Sequence, residues 1–276
     1  MKMNTFTESI YFGTPQSDNV AEESPYQTWL RLTTEKVLLQ FWLQKNLPSF
    51  ALSKETHRPI RILDLGCGFG HMAIRLLRVL LNMGLRVDYT GVDPYQAQLD
   101  LFKETLSPLK EVRVRLIQGD ASTHIPDQVY DLIFASHMLY YVDDWMEALR
   151  RIIDSGREGI IVHHGARGIN TIHERFRKDV HPGPHVISTD NQVANILRSL
   201  PLQGRRMSHH RFPSTVAVRL CQLPRSRAGN NLLSFFLEHP LQEIPSRTLK
   251  EIRTFMRELY DPDHLMVHDV GVITIR

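Results

Sequence analysis

The chain is 276 residues long, 42% apolar and 23% charged, with a formal net charge of +3. That length holds one large α/β domain with a decorated cap or two small domains, and no run of about 18 apolar residues is present to cross a membrane. The positive charge is spread, and the short basic pairs Arg205–Arg206 and Arg225–Arg227 do not make the stripe that a nucleic-acid partner requires. Two cysteines, Cys67 and Cys221, suit a reducing compartment, and the opening MKMNTFTESIYFG lacks the apolar core of a secretory signal, so a cytoplasmic protein without a membrane partner is expected.

In chain order, residues 1–23 are polar and pattern-poor and read as an arm. Residues 26–47 carry Leu30, Val37, Leu38, Phe41, Trp42 and Leu47 at helical spacing, with Pro48 as the stop and a possible break at Thr33–Thr34. This helical segment precedes the first strand, so it packs outside the sheet or lids a crevice. Residues 1–56 are therefore expected to form an arm and helical lid, and 57–276 the main domain. Ile60, Ile62, Leu63 and Leu65 predict a strand buried on both faces, running through Asp64, Gly66, Gly68 and Gly70 into a helix over 71–83 that Gly84 ends. A second strand ends in Asp93 and Pro94, and a helix follows over 95–106. A third strand over 112–118 leads into Gly119-Asp120-Ala121-Ser122. Residues 130–142 predict a fourth strand running into a loop, and Asp143 or Asp144 starts a helix through 153. Residues 159–165 make a fifth strand, and Ser188-Thr189-Asp190 caps a helix to 200. Residues 215–220 suggest a sixth strand, 231–237 and 245–260 amphipathic helices, and 267–275 a last strand. The first five strands, alternating with helices, mean a parallel sheet of crossover units, and a small helical insertion is expected at about 228–262.

Strand, glycine turn and helix bring backbone N–H groups close to a ligand. A dinucleotide fingerprint wants G-x-G-x-x-G, and its last glycine would fall on His71. The sequence instead has D-x-G-x-G-x-G from Asp64, which resembles the first motif of class I S-adenosylmethionine-dependent methyltransferases. The resemblance implies a Rossmann-like seven-stranded sheet and S-adenosylmethionine as cosubstrate. It implies Asp64, Gly66, Gly68 and Gly70 around the amino-acid end, Asp93 on the ribose hydroxyls with Gln98 one turn beyond, Asp120 and Ser122 at the adenine edge, and Ser136 and His137 at the sulfonium end.

The string HMLYYVDDWMEALRRI resembles the histamine N-methyltransferase family. So do TTEK with LQFWLQKNLP before the first strand, VISTDNQVANIL, LLSFFLEHP and the closing VGVITI. The resemblance implies Glu35 as an anchor for a substrate amine. It places His137 where the family has a glutamine touching the imidazole, Tyr26 at a pocket phenylalanine, and His268 near a pocket asparagine. Trp29, Tyr140 and Tyr141 complete an expected aromatic substrate pocket, with His137 and Glu35 as the catalytic pair. The changed chemistry at positions 137 and 268, and the glycine motif, which that family's enzyme lacks in this form, point to another small amine or azole, methylated on nitrogen by in-line displacement. O-methylation, or cofactor binding without transfer, are the alternatives. A small-molecule partner is expected and no nucleic acid; oligomeric state is open, with a monomer slightly favoured. No metal site is expected. His163 and His164 point to opposite faces of a strand, His181 and His185 bracket Pro-Gly-Pro, and no carboxylate or cysteine completes a set.

Overall fold

Strand β1 (Ile60–Leu65) owes its burial on both faces to its place mid-sheet, where Ile62 and Leu63 face opposite layers. The computed structural model describes residues 23–54, 58–106, 109, 112–121, 123–124, 126–180 and 188–276. The expectations for the arm over 1–22 and for Ser122, His181 and His185 lie outside them. Around β1 stand β2 (Val87–Asp93), β3 (Arg113–Gln118), β4 (Tyr130–Ser136), β5 (Gly156–His164), β6 (Met207–Ala217) and β7 (Leu265–Ile275). They form one seven-stranded sheet in the order β3-β2-β1-β4-β5-β7-β6. β1 to β5 are mutually parallel, and β7 runs antiparallel to β5 and β6. This is the expected α/β sheet, with the strand order reversing between β1 and β4, where such folds bind ligands.

One face is covered by α2 (Glu35–Asn46), α3 (His71–Asn82) and α4 (Gln96–Leu106), whose Leu39, Leu76 and Phe102 meet Ile62, Leu132 and Val272. The other carries α5 (Trp145–Ser155) and α7 (Asp190–Ser199), whose Leu149 and Leu197 meet Leu63, Ile133 and Ile273. A third apolar cluster joins α1 (Pro25–Leu32), α6 (Ile169–Phe176), α8 (Arg227–Leu237) and α9 (Ser246–Glu258) through Trp29, Ile172, Phe236 and Ile252. These last helices form a cap beside the carboxyl ends of the strands. No helix among the described residues is long and apolar enough to cross a membrane.

The helical stretch over 26–47 does break where two threonines fall: Thr33 bridges Val216, its hydroxyl accepts the Glu35 N–H at 3.2 Å, and a new helix starts. Two strands depart from expectation. β6 ends near where a strand over 215–220 was expected to begin, and Arg219–Gln222 is a 3-10 turn. β6 is an edge strand whose first half, Met207 to Pro213, is polar and half-exposed, so it lacks an apolar signature; the edge also tolerates Pro213. β5 starts three residues early because Arg157 and Glu158 interrupt its apolar run. Helix α6 was not expected: it begins after Gly168, which has φ +94° and lies so close to His268 that a Cβ would clash with it.

Gly70 starts α3 with φ +82°, and a Cβ there would lie 2.0 Å from the Phe102 ring. Gly70→Ala should cost at least about 1–2 kcal/mol from the left-handed backbone alone, with the clash adding to it. Urea denaturation of the full chain would read this as a lowered midpoint; an unchanged midpoint would contradict the packing.

Candidate functional site

At the carboxyl ends of β1, β2 and β4 a crevice of about 200 Å³ opens between the sheet and the cap. Its floor is the glycine turn. Gly66 and Cys67 donate their N–H groups to Val92 O at 2.8 and 3.1 Å, and Gly66, Gly68 and Gly70 all hold φ between +53° and +82°. The turn is tightly packed from behind, with Met138 against Gly66 and the Gln98 amide oxygen over Gly68. Asp93, buried at the tip of β2, accepts the N–H of Gly68 at 2.9 Å and of Tyr95 at 3.0 Å. Burial pushes its carboxyl up to about 6 against those two donors. Asp64 accepts the Tyr89 hydroxyl at 2.6 Å, and burial raises it to about 7 despite that bond. Asp120 and Ser136 also line the crevice, and the buried Ser136 hydroxyl has no hydrogen-bond partner among the described residues.

S-adenosylmethionine, when bound, supplies an electrophilic methyl on a sulfonium. The crevice fits it: an acid stands at a strand tip, a glycine turn leads into a helix, and a buried hydroxyl is left over. We propose that Asp93 accepts the ribose hydroxyls through its remaining lone pairs, that Gln98 and Asp120 border the nucleoside, and that Ser136 faces the sulfonium side.

The other end of the crevice is built on Glu35. Its carboxylate has no exposed surface. Lys36 Nζ lies 2.5 Å from Oε1, His137 Nε2 2.8 Å from the same oxygen, and His268 Nε2 3.1 Å from Oε2. Burial raises the carboxyl, but His137, Lys36 and the imidazole contacts outweigh it and hold Glu35 well below the usual carboxylate range. His137 follows directly after β4 with φ 56°, a left-handed backbone uncommon outside glycine, and is pinned by its N–H to Val162 O at 3.0 Å. Its Nδ1 meets the Tyr140 hydroxyl. With Nε2 protonated toward the ionised Glu35, Nδ1 accepts that hydroxyl's proton. Burial lowers His137 to about 4, with Lys36 and His268 adding and Glu35 opposing, so the ring is neutral near pH 7.

Aromatic rings wall this end. Tyr26 lies edge-on to Phe69 at 5.5 Å, Trp29 stacks on Phe235 at 5.2 Å, and Tyr140 stacks on His164 at 4.7 Å. Tyr141 donates to Glu238 at 3.0 Å. Of the expected substrate residues, Tyr26, Trp29, Glu35, His137, Tyr140 and Tyr141 all line the cavity. His268 does not: it is fully buried behind the wall and holds Glu35 in place. Lys36, Phe69, His71, His164, Phe235 and Glu238 line the cavity without having been singled out for it in the sequence. His164 was open to discovery, since it sits at the carboxyl end of a parallel strand. The expectation that no carboxylate completes a metal set also needs correcting. The donor atoms of Glu35, His137 and His164 lie within 4.8 Å of one another, a contact across 102 and 129 residues of chain that spacing does not reveal. The Lys36 ammonium already sits on that carboxylate.

Because burial raises Asp93, it is ionised above about pH 6 and protonated below. Protonation removes the charge that strengthens its hydrogen bonds to ribose. S-adenosylhomocysteine affinity, measured by calorimetry, should therefore fall about tenfold between pH 7 and pH 5. Asp93→Asn should bind at least about tenfold more weakly at pH 7 and lose the pH dependence; equal affinity for the two proteins at pH 7 would remove Asp93 from the site.

A family model described as a methyltransferase domain matches residues 62–159, the stretch from β1 into β5. Among curated proteins, histamine N-methyltransferase of Xenopus tropicalis is 22% identical over 80% of this chain and 81% of its own. The (S)-coclaurine N-methyltransferase of Papaver somniferum is 28% identical over 33% of this chain, a span covering only 25% of that enzyme. The solved structure of YcgJ from Bacillus subtilis has a TM-score of 0.55 at 14% identity, covering 86% of this chain and 98% of that one. The plantazolicin methyltransferase BpumL, solved with S-adenosylhomocysteine, has a TM-score of 0.51 at 15% identity, covering 97% and 93%. The strands that carry the glycine turn and Asp93 thus lie within a stretch that matches a methyltransferase domain, and the crevice they form is the site for S-adenosylmethionine.

Proposed function

We propose that the enzyme methylates a nitrogen of a small amine or azole, by in-line attack of the acceptor's lone pair on the sulfonium methyl. The observation that carries this reading is the Glu35–His137–Tyr140 chain on the wall of an aromatic cavity continuous with the cofactor crevice. Aromatic faces favour a cation or a flat ring, and Glu35 and Glu238 add carboxylates to the same wall. The cavity suits a small acceptor. The distant likeness to two N-methyltransferases supports nitrogen over oxygen.

The chain's own residues would act by position and by moving one proton. Holding donor and acceptor collinear and dry is worth up to about 7–11 kcal/mol. Both ring nitrogens of His137 are engaged, one facing Glu35 and one on Tyr140. A proton leaving the acceptor therefore reaches the imidazole through the Tyr140 hydroxyl. Glu35 fixes the ring and stabilises the imidazolium that forms. Neither cysteine takes part. Cys67 is buried in the glycine turn and its thiol is pushed well above its ordinary range by burial and by Asp64 and Asp93; burial raises Cys221 to about 12.

Turnover of labelled S-adenosylmethionine against a panel of small amines, azoles, phenols and carboxylic acids tests the reading. Methylation of amines or azoles is expected; methylation confined to oxygen acceptors would replace this reading with O-transfer, and no turnover with intact cofactor binding would favour a non-catalytic role. On the best nitrogen acceptor, Tyr140→Phe and His137→Asn should each lower kcat by about 10²-fold or more while S-adenosylhomocysteine affinity stays nearly constant. Full activity in Tyr140→Phe would break the relay.

A further inference from the structure

We propose that Lys36 is the residue that binds the carboxylate of the cofactor's amino-acid end. The charges around the crevice are one-sided. Glu35, Asp64, Asp93, Asp120 and Glu238 all line it, whereas Lys36 is the only lysine or arginine among the described lining residues. The cofactor brings a sulfonium and an ammonium, which such a wall suits, and one carboxylate, which it does not. That carboxylate needs a cation. The two histidines nearest the glycine turn and Glu35 offer none near pH 7: burial, with Lys36 and Arg75 adding, holds His71 near 4, and His137 is likewise neutral.

The two helices put Lys36 in the right place. Lys36 lies in the first turn of α2 and His71 opens α3. One turn further along each helix, the Gln40 amide oxygen accepts from the Arg75 guanidinium. Residues four apart share a helix face, so α2 and α3 run side by side with their first turns together. The Lys36 ammonium is thereby brought to the start of α3, where the first-turn N–H groups have no acceptor within the helix and an anion is favoured. Lys36 is 5% exposed, so its charge acts in a poorly hydrated site. Its present partner, Glu35, occupies one side of the ammonium at 2.5 Å. An ammonium has three protons to donate, which leaves it able to hold Glu35 and a second carboxylate together.

The test compares two ligands on the full-length, ligand-free protein by calorimetry. S-adenosylhomocysteine has the amino-acid end; 5′-methylthioadenosine keeps the nucleoside and thioether and lacks it. Lys36→Met should weaken S-adenosylhomocysteine binding by at least about tenfold and leave methylthioadenosine within about twofold. Lys36→Arg, which keeps the charge, should restore most of the affinity. Should Lys36→Met fail to fold, Lys36→Gln, which still donates a hydrogen bond to Glu35, carries the same expectation. Equal weakening of both ligands, or unchanged S-adenosylhomocysteine affinity, would overturn the assignment. No acceptor enters the measurement, so its outcome is separate from the question of which atom is methylated.

Discussion

Burying a carboxylate costs several kcal/mol unless charge and hydrogen bonds compensate it, and the arrangement of the acceptor end follows from how Glu35 meets that cost. Its partners come from three parts of the chain: Lys36 from its own helix, His137 from the end of β4, and His268 from β7. The N-terminal helices are thus tied to the sheet at one point beside the cofactor crevice. Apolar side chains of similar volume at such buried charged positions are often as stable or more so. A charged cluster kept at the wall of a cavity, with Glu35 and His137 lowered and Lys36 raised from their ordinary ranges, is the kind of arrangement found at functional sites.

The same constraint explains the backbone at His137. A left-handed residue other than glycine costs on the order of 1–3 kcal/mol, and the surrounding contacts hold it there. Its N–H is fixed on Val162, one ring nitrogen faces Glu35, and the other meets Tyr140. The geometry turns the imidazole out of the line of β4 and aims it along the cavity wall. Tyr140 in turn is held between His163 and His164, with ring centroids 4.5 and 4.7 Å away. The glycine turn and the β4 loop therefore border one continuous crevice.

Much of this was readable from local pattern. The β1 run, the glycine turn and the Asp93 strand tip are contiguous in sequence, and their spacing alone separates the motif from a dinucleotide site. The helix break at Thr33 and the aromatic pocket residues Tyr26, Trp29, Tyr140 and Tyr141 were readable as well. What escaped depends on contacts between distant segments. Lys36 reads as an ordinary helix lysine until α2 is laid against α3. His268 reads as a pocket residue until β7 places it behind Glu35. His164 could be found from its place at the carboxyl end of a parallel strand, but its nearness to Glu35 could not. β6 escaped for another reason: an edge strand half in water needs no apolar alternation.

The account turns on Glu35 being a compensated, ionised carboxylate inside the protein. Site-selective ¹³C NMR of the glutamate side chains, with Glu35 assigned by its loss in Glu35→Gln, measures this directly across a pH titration. The account predicts that the Glu35 carboxyl stays predominantly ionised at pH 4.5, the ordinary glutamate midpoint, because its partners hold it well below that value. A Glu35 signal that titrates near or above pH 6, as an uncompensated buried carboxyl would, would contradict it.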